Sequence, residues 1–110
     1  MVESPTTARI VITGTSSPHE ARSIARHLLE EKLAACISIL PRVESLYHWQ
    51  GGIESSEESL LLIKTTTEKL AQLEARLLAL HSYETPEFLS LAVPEANNSY
   101  LQWLLNSLHQ

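Results

Sequence analysis

A single cysteine in 110 residues cannot close an internal disulfide, which excludes the stapled frameworks of small secreted proteins. Basic side chains are in deficit, eight against thirteen acidic ones, and no run of lysine or arginine occurs. With a net charge of −5 the chain has no footprint for nucleic acid. The longest unbroken apolar run, Leu33 to Ile37, is far too short to cross a membrane. The opening MVESPTTAR lacks the apolar stretch of a secretory signal, and residues 1–7 read as a loose lead-in. These absences point to a cytoplasmic protein without a nucleic-acid or membrane partner. What remains is ordinary: 44% apolar and 19% charged residues, enough for one domain over residues 1–110.

The centre of the chain is a pair of β-prone runs, residues 36–50 and 53–65, separated by Gly51-Gly52. Glycine reaches the positive φ of a two-residue turn, so the pair reads as a hairpin. In the first run Ile37, Ile39, Pro41, Val43, Ser45, Tyr47 and Trp49 alternate with a mostly polar set, as on a strand with two unlike faces. A simple Gly51-Gly52 turn would set Trp49 opposite Glu54 and His48 opposite Ser55. Fully extended, the first run spans roughly 50 Å, at about 3.3 Å per residue. A domain of this size is roughly 34 Å across. The hairpin must therefore bend, at a Pro41 bulge, or be covered at its far end by another chain.

Around this hairpin the order is strand, helix, strand, twice over. Ala8 to Thr13 is a short apolar strand. Ser17, Pro18 and Glu20 make a helix start, and Ala21, Ile24, Ala25, Leu28 and Leu29 form the apolar stripe of a helix expected to reach about Ala34. A second capping box at Thr65 to Glu68 opens a helix carrying Leu70, Leu73, Leu77 and Leu80. Glu87 to Val93 is the fourth strand, and Ser99 caps a final helix with Leu101, Leu104, Leu105 and Leu108 inward. Two split βαβ units of this kind give an α/β (α+β) ferredoxin-like fold, a four-stranded sheet with two helices on one face and the other face open to assembly.

Few residues offer chemistry. Cys36 is a soft donor for copper or zinc, yet it has no CxxC partner or nearby histidine and sits where a free cysteine packs as a small hydrophobe. The same isolation argues against a cysteine-nucleophile enzyme. His81 follows a helix C-terminus, where an imidazole is either a ligand or a favourable charge on the dipole. Glu54, Glu57, Glu58, Glu84 and Glu87 crowd the hairpin and the loop after the second helix. Such oxygens bind hard or labile cations weakly, or merely discourage stray strand pairing. Tyr47, Trp49, Tyr83, Tyr100 and Trp103 read as core or interface anchors. Gly14-Thr15-Ser16-Ser17 before a helix offers backbone amides to an anion, without the glycines and lysine of a phosphate loop.

Leu33 to Cys36, the Trp49/Gly51/Ile53/Glu54 turn, the Tyr83/Pro86/Glu87 block and the Tyr100/Leu101/Trp103 end, in that order, resemble the CutA divalent-cation tolerance family over residues 10–103. The resemblance implies a homotrimer clasped by long hairpins, with Tyr47, Trp49, Tyr83 and Trp103 at the subunit interface. It also implies a link to copper and other divalent metal ions without a catalytic activity or a required cofactor. Cys36, His81, Glu54 and Glu84 are then the candidate metal ligands. Copper-associated members carry a cysteine and paired histidines where this chain has Thr15 and Leu80 with His81. A second implication is kinship with PII-type signalling trimers, whose small-molecule clefts between subunits would here be lined by Glu84, Tyr83 and His81.

Overall fold

The computed structural model describes residues 1–109. Its main sheet has four antiparallel strands, β2 (Ala8–Thr15), β3 (Cys36–Trp49), β4 (Gly52–Thr66) and β5 (Leu89–Ala92), in the spatial order β3-β4-β2-β5. Helices α1 (Pro18–Glu30) and α2 (Leu70–Leu80) join β2 to β3 and β4 to β5, and α3 (Asn98–Leu108) closes the chain. Val11, Leu61 and Ile63 of the sheet are sealed against Ala21, Ile24 and Leu28 of α1 and Leu73 and Leu77 of α2. Burial of each of the seven larger side chains among these contributes about 1.5–3 kcal/mol. The fold is a mixed α/β arrangement with a small second sheet.

Ser17 caps α1 in extended conformation, its side chain accepting the Glu20 N–H, and Pro18 occupies the first turn. The helix stops at Glu30, short of Ala34, because Lys32 takes φ +60°. Its N–H bonds the Leu29 carbonyl at 3.1 Å and Leu33 N–H bonds Leu28 at 2.9 Å, the paired closure of a Schellman motif. Leu33 is thereby turned back into the core.

The hairpin runs the length of the molecule, whose extents are 48 × 25 × 23 Å. Leu40 pairs with Leu60 and Val43 with Glu58, so Pro41 and Arg42 together face Ser59, and Arg42 lies at φ +59°. This is the expected bulge, and it inverts the alternation. Ile37 and Ile39 pack against the core below it, whereas Val43, Tyr47 and Trp49 fall on the opposite face, so the seven alternating residues do not share one side. The turn is also displaced. Trp49 pairs with Gly52, Tyr47 with Glu54 and His48 with Ile53, leaving Gln50 and Gly51 at the centre with φ of 48° and 83°. Two central residues at positive φ make a type I′ turn, which matches the strand twist, whereas a Gly51-Gly52 centre would have shifted the register by two.

Four further expectations are corrected. Residues 1–7 are not loose: β1 (Val2–Glu3) pairs with β6 (Ala96–Asn97), and Asn98 N–H bonds the Met1 carbonyl at 2.8 Å. The capping box at Thr65 does not form. Strand β4 continues to Thr66, a 3₁₀ turn (Thr67–Lys69) precedes α2, and the Thr65 hydroxyl donates to the Leu33 carbonyl at 2.8 Å. Asn97, rather than Ser99, caps α3 by accepting the Tyr100 N–H at 3.2 Å, and β5 is trimmed to four residues. The face opposite α1 and α2 is covered at one end by α3 and open elsewhere, with Leu40, Leu89 and Leu91 exposed.

Asn-Gly is the preferred type I′ pair because asparagine tolerates the left-handed region that glutamine resists. Gln50→Asn is expected to stabilise the protein by about 0.5–1 kcal/mol in reversible urea unfolding. An unchanged or lowered midpoint would show that this turn is not limiting.

Candidate functional site

Where β2 ends and α1 begins, the loop after α2 folds back and is fastened by three consecutive residues to three elements. His81 is buried, its Nε2–H donating to the Gly14 carbonyl at 2.8 Å while Nδ1 accepts the Tyr83 N–H at 3.1 Å. That pattern requires the neutral ring with its proton on Nε2. Ser82 N–H donates to Glu20 Oε2 at 2.8 Å. The Tyr83 hydroxyl donates to Glu58 Oε2 at 2.9 Å, with its ring 4.7 Å from the imidazole. The Glu58 carboxylate lies directly over Gly14, where a Cβ would come within 2.9 Å of Oε2. A side chain at this position would push the Glu58 carboxylate aside.

The electrostatics follow from these contacts. Partial burial alone would raise the Glu20 carboxyl, but hydrogen bonds from Ser82 and from the Ser16 backbone and hydroxyl outweigh it and hold the pKa at about 2. Burial pushes the Tyr83 phenol up, and its bond to the Glu58 carboxylate pushes it further, so it remains a donor throughout the neutral range. Burial likewise raises Glu87, with the Glu58 charge adding to it. The helix start cannot serve an outside anion as expected, because the Ser16 amide is already occupied by Glu20.

The four candidate metal ligands do not converge. Cys36 opens β3, half-buried beside Lys64, whereas Glu54 pairs with Tyr47 near the turn. Along β3 that separation is roughly 36 Å, at about 3.3 Å per residue. His81 has committed both ring nitrogens, and Glu84 is exposed on the loop. Thr15 is buried and donates its hydroxyl to the Ser59 carbonyl at 2.8 Å. Among the described residues no group of three or more His, Cys, Asp or Glu side chains is placed to hold a metal ion. Of the proposed interface residues, Trp49, Trp103 and Tyr47 are 58%, 48% and 43% exposed, while Tyr83 is half-buried on Glu58. Sequence reading placed Glu20 in the helix start, where it does reach back to the Ser16 N–H, but missed its second bond to Ser82 and the packing of Glu58 over Gly14.

Two consequences are measurable. Glu20 has a folded-state pKa below its unfolded value of about 4.3. Its contribution is therefore complete above that value and lost as pH falls toward 2. Glu20→Gln should cost about 1 kcal/mol at pH 7, a figure held down by solvent screening, and nothing in acid below both values. Equal destabilisation at both pH values would contradict this. Glu58→Gln should lower the Tyr83 phenol without restoring its ordinary range, since burial persists; ultraviolet titration reads it directly.

Comparison with known proteins agrees with this architecture. A family profile described as CutA1 divalent ion tolerance protein matches residues 9–107. The divalent-cation tolerance protein CutA of Thermus thermophilus is 45% identical over 95 residues, 86% of this chain and 92% of that one. The chloroplastic protein CutA of Arabidopsis thaliana is 40% identical over 94% of this chain, which spans 58% of that protein's length. The structure of CutA from Synechococcus elongatus superposes with a TM-score of 0.94 at 36% identity, covering 98% of this chain and 96% of that one. A family match over nearly the whole chain, a close relative and the shared fold lead to one conclusion: the chain belongs to the CutA1 divalent ion tolerance family.

Proposed function

We propose that the protein is a non-enzymatic, homotrimeric divalent-cation tolerance protein that takes up copper or other divalent ions weakly and reversibly in the cytoplasm. The observation that carries the assembly is the arm beyond the Pro41–Arg42 bulge. Tyr47 and Trp49 are exposed on one face of it and Leu46 and Ile53 on the other, apolar side chains that neighbouring subunits would shelter. We take the strand order β3-β4-β2-β5, with α1 and α2 on one face, as ferredoxin-like, the open face turned toward the trimer interior.

The cation reading rests on charge. Burial and the Glu58 charge raise the Glu87 carboxyl, and Glu44 stands directly across from Glu57 on the hairpin. Like charges in such positions are destabilising unless a cation relieves them. Two carboxylates without a third ligand give weak, exchangeable binding, consistent with a buffering role and not with a resident metal centre. No cofactor is required by this reading. A PII-like small-molecule sensor is the alternative, favoured by the way residues 81–83 are pinned to β2, α1 and β4 while Glu84 stays exposed at the same loop.

Light scattering with elemental analysis of the purified protein tests both parts. The expected mass is about three times the 12.3 kDa chain, with copper or zinc retained at millimolar and lost at micromolar concentrations. Trp49→Glu should shift the mass downward, and Glu58→Gln with Glu87→Gln should reduce metal uptake. A monomer at micromolar concentration would refute the assembly. Thermal stabilisation by a nucleotide but not by metal would favour the sensor.

A further inference from the structure

The turn that follows α1 and the outer side of α2 enclose an open groove of about 550 Å³. That volume is in the range of small-molecule sites. Leu73 and Leu77 turn the other side of α2 into the core, which leaves Ala75 and Ala79 exposed along the groove. Polar atoms form about as much of its wall as carbon does. The side chains able to supply them are Glu31, Lys69, Gln72 and Arg76, the rest of the lining being Leu33 and the two alanines. Arg76 donates through Nε to both oxygens of Glu31 at 2.9 Å. The pair is not sealed, since the Arg76 and Glu31 side chains are 38% and 37% exposed. Nor is its bonding complete. Each carboxylate oxygen keeps a lone pair, and the two terminal guanidinium nitrogens have no acceptor among the described residues. Lys69 stands two turns before Arg76, roughly 10 Å along the axis at about 1.5 Å per residue. The ion pairs among the described residues join Arg76 to Glu31 and His109 to Glu68, so Lys69 has no carboxylate partner there.

A carboxylate and a guanidinium side by side, each with unspent bonding capacity, match the ammonium and carboxylate that adjoin on an α-amino acid. A simple anion would be repelled by Glu31, and a simple amine by Arg76 and Lys69. A zwitterion laid head to tail on the pair satisfies both partners. The remaining charge selects the side chain. Glu31, Arg76 and Lys69 together carry one positive charge, which a ligand with one net negative charge balances. Long helical side chains lean toward the helix N-terminus, which shortens the span between the two cations. We propose that this groove binds an acidic α-amino acid, its ammonium on Glu31, its α-carboxylate on Arg76 and its side-chain carboxylate on Lys69. The methylenes then lie against Ala75 and Ala79. The groove is on the helix side of the sheet, away from the face turned toward the trimer interior, and shares no residue with Glu58 or Glu87. Its fate is therefore independent of both the assembly and the metal reading.

The test is calorimetric titration of the intact protein with L-glutamate, with L-glutamine and glutarate as controls. Glutamate, with about ten heavy atoms, is expected to bind with Kd of about 1 mM. Glutamine, which lacks the second negative charge, and glutarate, which lacks the ammonium, should each bind at least about tenfold more weakly. Lys69→Met should erase the preference for glutamate over glutamine, and Glu31→Gln the preference for glutamate over glutarate. Both side chains lie outside the core cluster, so the fold is expected to survive. Methyl NMR of the unaltered protein should place the largest glutamate shifts at Ala75 and Ala79, a readout that needs neither variant. Absence of saturable binding, a control ligand that matches glutamate, or shifts centred elsewhere would overturn the proposal.

Discussion

The structure is governed by a mismatch of lengths. Strands β3 and β4 are 14 and 15 residues long, while β2 has 8 and β5 only 4. Only the first part of the ribbon can therefore be covered by α1 and α2, and beyond Ile39 all of β3 but Val43 and Ser45 is exposed. Everything distal to the bulge has hydrogen bonds to its own partner strand but no layer of side chains above or below. In a protein whose stability comes mainly from apolar burial, such a segment contributes little to its own chain's fold and keeps apolar surface for something else.

The proximal end shows the opposite economy. Loop 81–87 has little secondary structure, yet it is held by bonds to groups far away in the chain, the longest joining His81 to Gly14 across 67 residues. A conformation fixed by long-range polar contacts is defined only in the folded protein, and its charges are tuned there: Glu20 is held ionised, and Tyr83 is held protonated. His81 is withdrawn from coordination by its own hydrogen bonds, so the loop is not arranged as a dedicated metal centre.

Local pattern made the strands and helices legible, because periods of two and 3.6 are written by neighbours in sequence. The Pro41 bulge was legible for the same reason, since proline removes a ladder donor. The turn was not: Gln50 gives no sign that it will adopt positive φ, and the adjacent Gly51-Gly52 pair is the stronger local signal. Asn97 and Ser99 are both good caps, and the choice was made by the β1–β6 pairing, a contact between chain ends. The bonds of His81 to Gly14 and of Glu20 to Ser82 escaped because those partners are remote in sequence. Cys36 and Glu54 looked like companions only so long as the hairpin's length was not counted against them.

The bulge at Pro41 and Arg42 has one more implication. Side chains on a strand alternate strictly, so one extra residue reverses the facing of all that follow. Removing a single residue there would leave the packed body untouched and turn Tyr47 and Trp49 to the other side of the ribbon. The orientation of the aromatic arm is thus set by the parity of the chain at one inconspicuous joint, so lineages that gain or lose a residue at this joint would be forced to rebuild whatever the arm grips.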